Sequence, residues 1–334
     1  MARAHNILPF HKKDVSEKDP STSASGTTNN DVKQSKHSHN RSWTQKWRNE
    51  LVAMAAEFAG TFMFMFFAFG GTQVANSAAS AENESTGGQG DDSNSITQAP
   101  NTSVLLYISL IFGFSLMVNV WVFFRVSGGL FNPAVGLTSH EIRDGDVGIV
   151  VVEMEFVLTA QPQVTLGLYL IGAVGRTRAI LCFIAQMLAG MASAGVVSAI
   201  LPGPLNVSTT LGAGVSPAQG VFLEMFLTSL LVFTIFMLAA EKHKATFLAP
   251  IGIGLALFVS EMVGVFFTGG SLNPARSFGP CVVTRTFPGY HYIYWFGPLM
   301  GTMLAWAMYR IVKMVDYETV NPGQDFDDHE VCSP

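Results

Sequence analysis

The sequence predicts an all-α membrane protein: six transmembrane helices and two re-entrant half-helices, arranged as two inverted three-helix repeats. Three observations carry that prediction. Of 334 residues, 49% are hydrophobic and only 13% charged, against about a quarter charged in a soluble domain. The apolar residues fall into six blocks, each near the roughly 20 residues needed to cross a bilayer. The triplet Asn-Pro-Ala occurs at matched places in two halves of the chain.

Residues 1–46 are rich in Ser, Thr, Asn, Lys and His, with few large apolar groups, and read as a disordered tail. The irregular spacing of His5, His11, His37 and His39 suits solvated side chains better than a metal site. No signal-peptide pattern precedes the first span. The spans are Leu51–Val74, Val104–Phe124, Ala179–Leu201, Ala218–Ala240, Phe247–Phe267 and Tyr292–Val315. Six such lengths in one chain are rare as buried helices of a soluble core. The membrane domain is therefore 47–315, with repeat one at 47–201 and repeat two at 218–315, and 316–334 is a short acidic tail. Basic residues set the orientation. Arg41, Lys46, Arg48, Arg125, Arg176, Arg178, Lys242, Lys244, Arg310 and Lys313 flank one side, whereas 75–103 and 202–217 contain no Lys or Arg. Both termini are expected in the cytoplasm.

Asn83, Asn101 and Asn206 head Asn-x-Ser sequons in the expected outside loops and are glycosylation candidates. Cys182, Cys281 and Cys332 show no disulfide or metal spacing. A net charge of −5 gives no sign of nucleic-acid binding. No nucleophile–base pair or nucleotide motif stands out, so an enzyme is not expected, and no cofactor or metal.

The repeat carries the functional information. "GGLFNPAVG" at 128–136 recurs as "GGSLNPARS" at 269–277. A single Asn-Pro-Ala is an ordinary helix start, with Asn as cap and Pro in the first turn. Two copies, each after the second span of a three-span half, are not ordinary. Each half's first span also holds a carboxylate, Glu57 and Glu224. Three spans place the second half on the opposite side, so the copies are inverted and their loops enter from opposite faces. Inverted repeats with broken helices mark a pathway near the midplane. The half-helices, built on Asn132, Pro133, Ala134 and on Asn273, Pro274, Ala275, would aim two positive dipole ends at the midpoint. The Asn side chains can donate amide N–H bonds there. The carbonyls of Gly128, Gly129, Leu130 and of Gly269, Gly270, Ser271 can form acceptor ladders.

These paired motifs, the paired Glu and "SLNPARSFGP" resemble the aquaporin (major intrinsic protein) family over roughly residues 47–315. The resemblance is to the water-channel branch and implies a fungal source. It implies a plasma-membrane homotetramer with one pore per protomer, passing water and other small neutral solutes. It also implies that Glu57 and Glu224 brace the loops, and that half-helix dipoles and an Arg exclude ions and protons. An outer constriction of four residues carries over to Phe112, Glu261, Gly270 and Arg276. Phe112 narrows it, favouring water over glycerol. Phe112 with Leu116, and Leu257 with Glu261, share helix faces at i,i+4; with Phe64 and Leu231 they would form an apolar pore wall. Ser277 stands where glycerol facilitators carry Asp, and Tyr294-Trp295 suits the water-selective branch. Glu261 departs from the family, which usually has His or Gly there. It could pair with Arg276, block the pore, weaken the cation barrier, or turn toward a neighbouring helix.

The first motif departs too. "NPAV" ends at Val135 and "TLGLYL" resumes at Thr165; removing 136–164 restores the family's run. The removed piece holds "HEIRDGD" and the short run 147–160, which carries Glu153 and Glu155 and cannot span. It is either a cytoplasmic insertion or a translated, unspliced intron, and the second is the preferred explanation. A genuine insertion would put Ser139, His140 and Glu141 where the half-helix packs apolar residues, a local–global conflict. The expected function is passive, osmotically driven water flow. The alternatives are an ion- or proton-linked pathway using Glu261 and a non-conducting membrane protein.

Overall fold

The computed structural model describes residues 29–86, 101–129, 131, 171, 176–212, 214–241 and 246–320. The chain divides into two units, 1–46 and 47–334. Among the described residues the regular elements are all helical. They are α1 (Asn29–Thr86), α2 (Thr102–Ser127), α3 (Arg176–Ile200), α4 (Pro217–Ile235), α5 (Ala249–Thr268), α6 (Pro274–Thr284) and α7 (Ile293–Met314). A π-turn, Phe236–Ala240, extends α4, and short 3₁₀ turns stand at Thr246–Leu248 and Tyr317–Thr319.

Two sequence expectations change. Residues 29–46, read as disordered, form the start of α1; extending a formed helix avoids the nucleation cost that an isolated polar segment faces. By length and composition, five helical spans can cross a membrane, at Trp47–Ser80, Thr102–Ser127, Thr177–Ile200, Pro217–Ala240 and Thr246–Thr268. The sixth expected span is α7, a helix of 22 residues, about 33 Å long. It is more polar, because Tyr294, Trp295, Tyr309, Arg310 and Lys313 fall within it.

Local signals set the helix ends. Ser216 caps α4 through a reciprocal bond with Gln219, and Pro217 occupies its first turn. Asn101 caps α2 by accepting from Ser103 N–H at 3.0 Å. The two second spans end alike. Gly128 closes α2 at φ 99° with its N–H on Phe124 O, and Gly269 closes α5 at φ 82° with its N–H on Val265 O. Both are left-handed C-caps, which glycine adopts without a Cβ clash.

The helices pack as α2 on α5, α4 on α7, α3 on α6 and α4 on α5. Where α2 crosses α5 the contact is reciprocal. A Cβ on Gly113 would lie 2.9 Å from Gly254 O, and one on Gly254 would lie 2.8 Å from Gly113 O. Such reciprocity is what a two-fold axis between equivalent helices produces. Small residues let membrane helices approach closely; Gly190 and Gly279 do the same for α3 and α6, and Gly301 for α7 against α4. Large apolar side chains such as Phe114, Val118, Trp121, Phe226 and Val259 stay exposed on the outer faces, as a lipid-facing surface requires. Gly254→Leu should force α2 and α5 apart and destabilise the bundle by roughly 1–3 kcal/mol or more. Thermal unfolding in detergent checks this, and an unchanged midpoint would contradict the close contact.

Candidate functional site

The second re-entrant loop is described completely. After Gly269 the chain turns back through Gly270 (φ 59°) and Leu272 (φ 49°) to Asn273. Asn273 caps the 11-residue half-helix α6, its Oδ1 accepting from Ala275 N–H at 3.0 Å, with Pro274 in the first turn. Glu224, fully buried on α4, holds this loop from behind. Its Oε1 accepts from Ser271 N–H at 3.0 Å and Thr268 Oγ1 at 2.6 Å, and its Oε2 accepts from Leu272 N–H at 2.8 Å.

The first loop repeats the design. Gly129 has φ 65° and Phe131 φ 46°, matching Gly270 and Leu272. Glu57, also fully buried, accepts from Phe131 N–H at 3.0 Å and from Gln186 Nε2 at 2.9 Å. Both glutamates thus accept backbone N–H groups of the loop that follows the second span of their half. A non-glycine residue at positive φ is strained, and in each loop the strained N–H is the one the carboxylate takes. Leu130, Asn132, Pro133, Ala134 and the stretch 136–164 lie outside the described residues. One bond joins the loops directly: Asn273 Nδ2 donates to Phe131 O at 3.1 Å. One of the two amide hydrogens expected to face a permeant is therefore used between the loops.

The four residues expected at an outer constriction, Phe112, Glu261, Gly270 and Arg276, lie together. Arg276 on α6 brings its Cζ to 5.0 Å from the Phe112 ring centre and 5.5 Å from that of Phe69. Its Nε donates to Gly270 O at 3.0 Å, its Nη1 to Val207 O at 2.6 Å, and its Nη2 to Gly269 O at 3.5 Å. Any side chain on Gly270 would collide with the Glu261 carboxyl, so Glu261 fills that notch. The expected options for Glu261 narrow here. Arg276 binds backbone carbonyls, and both Glu261 oxygens are buried without a hydrogen-bond partner among the described residues. The physical reason is local: carbonyls of irregular backbone have no helix ladder to join and compete for the guanidinium. The Gly269 and Gly270 carbonyls, expected in the acceptor ladder, each receive one Arg276 N–H, which leaves a second lone pair on each.

Phe64, Leu116, Leu231 and Leu257 are each buried within the core, and Phe64 stands edge-on to Phe112 at 6.3 Å between ring centres. Ser277 Oγ receives Thr209 Oγ1 at 2.8 Å and lies 2.6 Å from Ser271 Oγ. Phe69, Val207 and Gln186 escaped sequence reasoning. Gln186 had a signal, a polar residue inside an apolar span; Val207 acts through its carbonyl, which side-chain identity does not report. The sequons also change. Asn83 falls inside α1 rather than a loop. Asn101 is the α2 cap, and Asn206 is exposed at a fixed loop.

An apolar helical bundle that folds irregular backbone into its own interior is a multi-pass membrane protein. Residues 43–148 and 159–309 match the Major intrinsic protein family model, and the chain belongs to that family. It is 53% identical over 289 residues to Aquaporin-7 of Botryotinia fuckeliana, covering 86% of this chain and 54% of that protein. It is 52% identical to Probable aquaporin-5 of Gibberella zeae, covering 84% and 45%, and 48% identical to Probable aquaporin-3 of the same species, covering 82% of each. The chain thus spans about half the length of the first two relatives. The crystal structure of the aquaglyceroporin from Plasmodium falciparum shares the fold at a TM-score of 0.58 and 18% identity, covering 80% of this chain and 99% of that one.

Glu224→Gln should leave one loop N–H facing an amide N–H₂. A loss of roughly 1–3 kcal/mol follows from an unsatisfied buried donor, read as a lower unfolding midpoint together with lost permeability. Wild-type stability in this variant would contradict the bracing role.

Proposed function

We propose that the chain is a passive water channel driven by osmotic gradients, one that excludes ions and protons and admits other small neutral solutes. The observation that carries this reading is the Arg276–Phe112 approach at 5.0 Å beside the N-terminal end of α6. An aromatic face and a guanidinium this close would narrow a passage between them, which favours water over glycerol. A cation arriving there meets the Arg276 charge and the positive end of α6. Ser277 in place of an Asp supports the same branch. The apolar residues Phe64, Leu116, Leu231 and Leu257 then line a path that binds water weakly. Both termini face the cytoplasm, the protomers form a homotetramer in the plasma membrane, and Asn101 and Asn206 remain the sequons outside regular helix interiors.

Residues 136–164 are read as a retained intron that interrupts the first half-helix. Support comes from the interrupted run itself, "NPAV" resuming as "TLGLYL" at Thr165; the family match skips only 149–158 of the stretch. Sequencing the spliced transcript tests it, and a dominant messenger encoding 136–164 rejects it. Stopped-flow swelling of reconstituted vesicles tests the channel itself, with water, glycerol and peroxide and with chains containing or lacking 136–164. Water permeability above that of empty vesicles is expected for the chain lacking the stretch. No increase in either chain points to a non-conducting protein. Arg276→Ala should raise glycerol permeability relative to water.

Glu261 favours a second reading, an ion- or proton-linked pathway. Its two buried oxygens have no hydrogen-bond partner and stand beside Arg276 and Gly270. A titrating carboxyl there would lower the barrier to cations. This reading expects a pH-dependent current that Glu261→His abolishes. An absence of current across pH leaves the water channel standing.

A further inference from the structure

We infer that Gln73 and Asn76, near the C-terminal end of the α1 span, are positioning residues for the constriction: they fix the segment whose Val207 carbonyl holds Arg276. The inference rests on reading Arg276 as a selectivity residue.

The chain of contacts is continuous. Gln73 Nε2 donates to Pro204 O at 3.0 Å, and Gln73 Oε1 accepts from Asn206 N–H at 2.7 Å. Asn76 Nδ2 donates to Asn206 O at 2.8 Å. One residue further, Val207 O receives Arg276 Nη1 at 2.6 Å. Two residues beyond that, Thr209 Oγ1 donates to Ser277 Oγ at 2.8 Å, and Gly212 N–H then closes on Phe267 O at 2.8 Å. A peptide spans about 3.8 Å between Cα atoms. With both polar backbone atoms of Asn206 held, the Val207 carbonyl keeps little freedom of its own.

The three anchors of Arg276 are not equivalent. Gly269 and Gly270 belong to the same re-entrant loop and move with the guanidinium. Val207 is the anchor outside that loop, so it sets the lateral position of Arg276. The strap that carries it is tied to α1. The same face of α1 also touches Arg276 directly, since Phe69, Gln73 and Asn76 stand at i, i+4 and i+7 and the Phe69 ring lies 5.5 Å from Arg276 Cζ. Gln73 is only 4% exposed. A polar side chain in an apolar span is retained where it has partners, and here both partners are backbone atoms of the strap.

The test is a mutant cycle read as the glycerol-to-water permeability ratio in reconstituted vesicles. Gln73→Leu should raise the ratio roughly fivefold or more, because both hydrogen bonds to the strap are lost and each shifts a two-state population severalfold. Gln73→Glu keeps the acceptor for Asn206 and loses the donor to Pro204, so an intermediate rise is expected. In an Arg276→Ala background Gln73→Leu should add nothing, since coupled residues are not additive. An unchanged ratio in Gln73→Leu with water flow retained would overturn the inference, as would an equal rise with and without Arg276. If Gln73→Leu does not fold, Asn76→Ala leaves the Gln73 bonds in place and is read by the same two outcomes. An unchanged ratio in Arg276→Ala alone would reject the constriction reading instead.

Discussion

Backbone that leaves a helix inside an apolar bundle must still satisfy its N–H groups, and two buried carboxylates meet that constraint. An unsatisfied polar group in a membrane interior costs several kcal/mol, and an isolated buried carboxylate costs more. Each need offsets the other. Glu224 takes Ser271 and Leu272 N–H, and Glu57 takes Phe131 N–H. These bonds hold the chain at the positive φ values that turn it back into the bundle. The start of α6, the cap at Asn273 and the position of Arg276 all follow from that turn.

The matched geometry of the halves shows the same solution used twice. Gly128 and Gly269 end their helices, Gly129 and Gly270 continue the turn, and Phe131 and Leu272 carry the strained conformation. The loops then meet through Asn273 and the Phe131 carbonyl. Phe131 is fully buried, edge-on to Phe123, and a side chain on Gly60 would collide with it. A pathway built between the halves is therefore anchored from both sides of the bundle.

Charge at the constriction is arranged unevenly. Arg276 is surrounded by carbonyls and aromatic faces, which suit a planar, weakly hydrated cation. Glu261 occupies the neighbouring notch with no hydrogen bond to either oxygen. Pairing of the two was one of the options the sequence left open, and Arg276 instead donates to the carbonyls of Gly270, Val207 and Gly269. The Arg276 guanidinium and the Glu261 carboxyl thus both stand against Gly270 without a hydrogen bond between them.

Much of the fold was legible because it depends on composition and spacing. Apolar blocks define the spans, the duplicated Asn-Pro-Ala defines the inversion, and a lone Glu in each first span has to find donors in irregular backbone. The sequence by itself determined the class of protein and its repeat. The tertiary structure decided the partners of individual side chains: Arg276 with Val207, Gln73 with the strap, and Glu261 with no hydrogen bond among the described residues. Those choices are made by backbone carbonyls and by distance across the bundle, which side-chain identity along the chain does not encode.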